Sequence, residues 1–176
     1  RGALPTRNNL IFSTAGYDPA MPSDVDVWAA YSYRNLSGDV DGHVTDLTFG
    51  IQTEIRPDFL IGAMLDIGKL DIQTATDGIE ADSIVAGPYF ATKLRGGATL
   101  SGYLAYGRPD YTYDGGGSAD ATRLIWGLDL AMEQNWNGWD LTPFVSLSGF
   151  HEDIGAGGGL AARDVSQVQA SVGTRI

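Results

Sequence analysis

"TDLTFGIQTEIRPDFLIGAMLDIG", Thr45 to Gly68, holds two runs of alternating hydrophobicity separated by a few turn residues. Leu47, Phe49, Ile51, Thr53 and Ile55 fall on one side of the first run, and Asp46, Thr48, Gly50, Gln52 and Glu54 on the other. Period two marks a β-strand with one apolar face. That face must meet either a protein core or lipid, and the two answers describe different molecules.

The whole chain narrows the choice. Its 176 residues suffice for one domain with a sizeable core. A formal net charge of -11 argues against general nucleic-acid binding, which needs a basic footprint. The lack of cysteine excludes disulfides and thiolate metal sites and fits export through an oxidising periplasm. No stretch approaches the ~20 continuous apolar residues of a transmembrane helix, but a membrane β-barrel needs only every second residue apolar. No signal peptide is visible at Arg1, so an exported chain is expected to be mature or trimmed.

Eight strands are readable: Val25–Leu36, Val44–Arg56, Leu60–Ile72, Asp82–Leu94, Ala98–Tyr111, Thr122–Trp136, Trp139–Phe150 and Val165–Ile176. Most exceed the roughly 5–6 residues usual in soluble domains and match the ~9–11 needed by a tilted membrane strand. Their connections alternate. "RPDF" (Arg56–Phe59), "RGG" (Arg95–Gly97) and "NWNGW" (Asn135–Trp139) are tight turns. "SGDVDGH" (Ser37–His43), "QTATDGIEA" (Gln73–Ala81), "YDGGGSADA" (Tyr113–Ala121) and "EDIGAGGGLAARD" (Glu152–Asp164) are longer and Gly/Asp-rich. Loops sorted by length to opposite ends are the layout of an outer-membrane barrel, with the short turns on the periplasmic side.

Alternation then assigns faces. Phe49, Ile51, Leu65, Phe90, Leu104, Trp126, Leu128, Leu130, Val145, Leu147 and Val172 are expected to face lipid. Asp46, Gln52, Glu54, Asp66, Lys93, Arg123, Asp129, Glu133, Gln167, Gln169 and Arg175 are expected to face a narrow wet lumen, paired across strands. Tyr31, Tyr33, Tyr106, Trp136 and Trp139 are expected near strand ends as interfacial aromatics. The competing soluble readings are a sandwich whose polar face is solvated, and a barrel that turns its apolar face inward around a ligand.

Several runs resemble the autotransporter β-domain, in that domain's order. They are "VDVWAAYSY" (Val25–Tyr33), "FLIGAMLDIGKLD" (Phe59–Asp71), "VAGPYFATKL" (Val85–Leu94), "YLAYGRPDYTY" (Tyr103–Tyr113), "WNGWDLTPFVSLSGFHE" (Trp136–Glu152) and "VSQVQASVGTRI" (Val165–Ile176). The resemblance implies an antiparallel up-and-down transmembrane β-barrel of type V secretion in a Gram-negative outer membrane. By the same resemblance, residues 1–23 are a linker that threads or plugs the lumen, residues 24–176 the barrel, and the barrel exports an N-terminal passenger. Its implied partners are outer-membrane lipid and lipopolysaccharide, the barrel-assembly machinery and the passenger in cis. The family closes twelve strands, whereas eight are readable and the last residue is Ile176 rather than an aromatic. The expectation is therefore either a trimmed chain or a stand-alone eight-stranded barrel that acts as an anchor or surface-interaction protein, its interior filled by side chains.

No enzyme chemistry, cofactor or metal site is expected. His151 with Glu152 and Ser148 suggests a surface hydrolase, but Ser148 and His151 point to opposite sides of a regular strand. His43 stands by itself in another loop. "DVDGHVTD" (Asp39–Asp46) resembles part of a calcium loop but runs into strand before its last ligands. "GGAT" (Gly96–Thr99) and "GAGGG" (Gly155–Gly159) lack the Lys-Ser/Thr ending and following helix of a phosphate loop.

Overall fold

The computed structural model describes residues 9–13, 25–36, 41–73, 78–157, 159 and 161–175. Asp39, Ile176 and most of the 1–23 segment lie outside them. Ten strands form one antiparallel sheet among the described residues. They are β1 (Asn9–Ser13), β2 (Val25–Leu36), β3 (Asp41–Arg56), β4 (Phe59–Gln73), β5 (Gly78–Lys93), β6 (Ala98–Tyr113), β7 (Ser118–Met132), β8 (Gln134–Trp136), β9 (Trp139–Ile154) and β10 (Arg163–Arg175). Neighbours in the sheet follow chain order, β1-β2-β3-β4-β5-β6-β7-β9-β10, with β8 paired to β9. This is an up-and-down meander. The sheet is open: β1 and β10 each have one partner among the described residues.

The eight long strands run 12 to 16 residues. Most exceed their sequence-based bounds at the end away from the tight turns. Asp41–His43, Gly78–Ala81, Ser118–Ala121 and Glu152–Ile154 read as loop by their Gly and Asp content, yet they continue the ladders. Glycine and aspartate have low intrinsic strand preference, and pairing with an established neighbour overrides it. The connections at that end shrink to residues 37–40, 74–77, 114–117 and 155–162, against 57–58, 94–97 and 137–138 at the other. Loop length is therefore a weak divider between the ends: 94–97 is as long as 114–117, and 155–162 is longer than either.

The tight turns have local causes. Pro57 precedes Asp58 at φ 72°, and the Asp58 N–H donates to Glu54 Oε1 at 3.1 Å. Asn137 (φ 50°) and Gly138 (φ 85°) supply the two left-handed positions of a two-residue hairpin between β8 and β9. β8 continues the register of β7, and the break at Glu133 falls beside Pro143, which has no N–H to give the ladder.

The packing departs from that of a soluble domain. Among the described residues the buried apolar side chains are Ala81, Val85, Ala105, Pro109, Ala119, Ala121 and Ile154, nearly all small. Large apolar side chains lie open instead: Ile84 is 60% exposed, Leu104 50% and Val172 82%. A soluble sandwich would hide these groups between sheets.

Candidate functional site

The candidate site is the sheet itself, through the division of its two faces. Cross-strand register puts Phe49 opposite Ala29 and Leu65, Leu65 opposite Ala86, Leu104 opposite Trp126, and Leu128 opposite Leu147. Ile51, Phe90, Leu130, Val145 and Val172 fall on the same side. All eleven residues expected on the apolar face therefore share one side of the sheet. On β4 this side is uncharged from Phe59 to Ile67, and Lys69 ends the run. Phe59 to Lys69 climbs roughly 33 Å at about 3.3 Å per residue. A tilt of about 40° leaves ~25 Å, the height of a lipid-facing band.

Beyond that band the same side becomes polar. Lys69, Asp82, Asp110 and Asp120 are successive cross-strand partners. His151 approaches Ser166 Oγ through Nδ1 at 2.7 Å and Asp153 through Nε2 at 3.2 Å, tying β9 to β10. Ser166 was invisible as a partner in the sequence because its contact depends on register. Ser148 lies on the opposite face, as alternation requires, so it does not meet His151.

The aromatic expectation needs correction. Trp136 and Trp139 flank the β8–β9 turn and are two-thirds exposed. Tyr33 sits towards one end of β2 beside the His43 ring, 6.0 Å between centroids. Tyr106 is not near a strand end, because β6 continues to Tyr113; it lies mid-strand opposite Ala86 and Leu124. Tyr31 is likewise interior to β2.

The other face carries the polar residues. Asp46, Gln52, Glu54, Asp66, Lys93, Arg123, Asp129, Gln167 and Gln169 share it by register. Glu133 does not belong there as a strand residue: it falls in the gap between β7 and β8, and its side chain is exposed. The backbone of Arg175 pairs with Thr142, and its side chain is outside the described set. Glu54 serves the β3–β4 turn, as described above.

Three hydrogen-bonded groups organise this face. In the first, Trp28 Nε1 donates to Tyr89 Oη at 2.7 Å, and Tyr89 Oη donates to Gln52 Oε1 at 2.8 Å. Trp28 and Tyr89 belong to strands separated by β3 and β4. They meet because each ring lies over a glycine directly opposite it, Trp28 over Gly50 and Tyr89 over Gly62. A Cβ at either glycine would collide with the ring. Tyr103 lies over Gly127 and Phe144 over Gly173 in the same way. On the apolar face Trp126 covers Gly149. Aromatic rings thus refill the space that glycine leaves, as in aromatic rescue of strand glycines.

In the second group, Asp46 accepts from Ser32 Oγ at 3.2 Å and lies 3.6 Å from the Arg34 guanidinium. Next to it on this face, Asp66 accepts from Thr48 Oγ1 at 2.5 Å; apart from these groups, Asp129 of β7 accepts from Ser146 Oγ of β9 at 2.6 Å. In the third, Glu152 is 3% exposed and accepts from both Arg123 Nε, at 2.5 Å, and Tyr111 Oη. Arg123 also donates to Tyr111 Oη at 2.9 Å. This cluster ties β6, β7 and β9 above the small Ala119–Ala121–Ile154 core, against which Tyr111 packs. The sequence reading placed Arg123 on this face but missed both partners. Tyr111 read as a strand end and Glu152 as a loop residue.

The arrangement sets a hydrogen-bonded polar face against an apolar one. No curated protein matches the chain. A family model described as "Autotransporter beta-domain" matches residues 23–176, from just before β2 to the last residue.

Proposed function

Since the chain belongs to the autotransporter β-domain family, an outer-membrane translocator module, we propose that it forms the pore and anchor through which an N-terminal passenger is exported. In this reading residues 24–176 build the barrel wall and residues 1–23 link it to the passenger. The apolar face meets outer-membrane lipid, the polar face lines the lumen, and the barrel-assembly machinery inserts the chain. Membership of this family implies a Gram-negative outer-membrane location.

One observation supports the reading most directly: an antiparallel sheet of 12- to 16-residue strands leaves large apolar side chains exposed on one side and hydrogen-bonded polar groups on the other. In water that apolar area would be a severe aggregation hazard; in lipid it is the solvated surface. No cofactor enters this function, because the wall works by excluding lipid from a polar path and catalyses no covalent step.

The test is passenger display. A reporter fused ahead of Arg1, in the full polypeptide that carries this chain, should reach the cell surface and resist release by urea washing. Deleting residues 25–175 should leave the reporter inside the cell envelope. Equal surface display without those residues would refute the proposed role.

A further inference from the structure

The edge of β2 that faces away from β3 carries a feature that the alternation of the long strands does not require. β1, from the segment ahead of the barrel, pairs with β2 in the register Asn9–Ser32, Leu10–Tyr31, Ile11–Ala30, Phe12–Ala29 and Ser13–Trp28. It covers five residues of a twelve-residue strand. Edges of unpaired N–H and C=O groups are templates for unwanted pairing, and a short strand laid along one protects it.

Strand direction shows what β1 displaces. The long strands β2 to β7, β9 and β10 are joined by antiparallel pairings, so β10 runs opposite to β2. Bacterial single-chain barrels have an even number of strands, so the strand that completes the wall meets β2 antiparallel. β1 is itself antiparallel to β2 and occupies the same edge. Counting β1 into the wall would make the number odd and the closing pair parallel. The backbone groups on that edge of Trp28–Ser32 can satisfy only one neighbouring strand.

We propose that β1 is a placeholder strand. It occupies the seam edge of β2 until the closing strand arrives, and closure ejects it. The proposal rests on the barrel reading above and adds a coupling to it. While Asn9–Ser13 is held on the wall, the linker is pinned at the seam; once the wall closes, the linker is freed towards the lumen. Closure and linker release become one exchange of strands.

The chain has no cysteine, which makes the test direct. Two double variants, I11C/A30C and F12C/A29C, place thiols on register partners, at Cα separations that either kind of antiparallel pair leaves within disulfide range. They are made in the full polypeptide, free of other cysteines. Before membrane insertion both pairs should oxidise to disulfides. After insertion of the reduced protein they should not. The oxidised chain should lose the compact, heat-modifiable band in gel electrophoresis, and reductant should restore it. A third variant, I11P, removes β1 as a strand; the finished barrel should keep its heat-modifiable band. The proposal is overturned if the disulfide-locked chain closes as well as the reduced one, if neither pair oxidises before insertion, or if I11P abolishes the finished barrel. Absence of any heat-modifiable band in the cysteine-free protein would instead refute the barrel reading, and the placeholder with it.

Discussion

At the scale of the residue, glycines opposite aromatics decide how tightly the wall packs. Gly62 lies under Tyr89, whose hydroxyl bridges Trp28 and Gln52. Gly62→Ala should force that ring aside and cost about 1–3 kcal/mol, as overpacked sites do. Adding Tyr89→Ala should recover part of the loss, so the two changes should be non-additive in denaturant unfolding from lipid vesicles. Additive losses would mean that ring and glycine do not share the space. The Arg123–Glu152 pair gives a second case. Arg123→Met leaves a nearly buried carboxylate with Tyr111 as its hydrogen-bond partner, which should cost about 3–5 kcal/mol; replacing both Arg123 and Glu152 by apolar residues should cost less. A double-mutant cycle in the same unfolding assay checks this. Neither feature was legible beforehand. Period-two alternation shows which side a residue faces, but pairings such as Tyr89 with Gly62, or Arg123 with Glu152, depend on the register across strands, which alternation within one strand does not carry.

At the scale of the element, strand existence and facing were legible and strand ends were not. β2 matches its sequence-based bounds, Val25–Leu36, although the alternation of "VDVWAAYSYRNL" fades at Asn35 and Leu36. β5 begins at Gly78 rather than Asp82, since Gly78–Ala81 pair with Gln73 to Leu70 of β4 despite weak intrinsic preference. β1 was missed outright: five residues between proline-bounded stretches carry too little pattern to separate a strand from a tail. The facing makes a depth-dependent prediction. Leu65→Arg and Val145→Arg, near the middle of the apolar runs of β4 and β9, should each cost about 2–4 kcal/mol. Ser101→Arg, on the polar face, should cost much less. Unfolding in lipid vesicles separates the two faces; equal costs on both would contradict the assignment. Loop sorting makes another prediction. An epitope inserted within residues 114–117 should be labelled on intact cells, and one inserted at 137–138 only after the outer membrane is permeabilised.

At the scale of the whole molecule, function turns on what the apolar face touches. Among the described residues little is buried beyond alanines, Val85, Pro109 and Ile154, and none of that buried set competes for Leu104, Ile84 or Val172. The family, the meander and the two-sided sheet were legible from six motif runs and from strand length, because both survive without knowledge of register. How the edges of β2 and β10 are joined was not legible, since closure depends on which backbone edges meet rather than on the alternation of any one strand.

The most direct test returns to Phe59–Lys69. Single cysteines placed in turn at Ala63, Met64, Leu65, Asp66 and Ile67 of the otherwise cysteine-free chain, inserted in lipid vesicles and carrying a fluorophore, report lipid contact by quenching from a lipid-dissolved quencher. A lipid-facing apolar side predicts strong quenching at Ala63, Leu65 and Ile67, and weak quenching with ready access to a water-soluble quencher at Met64 and Asp66. Uniform quenching along the strand, or the reverse alternation, would contradict it.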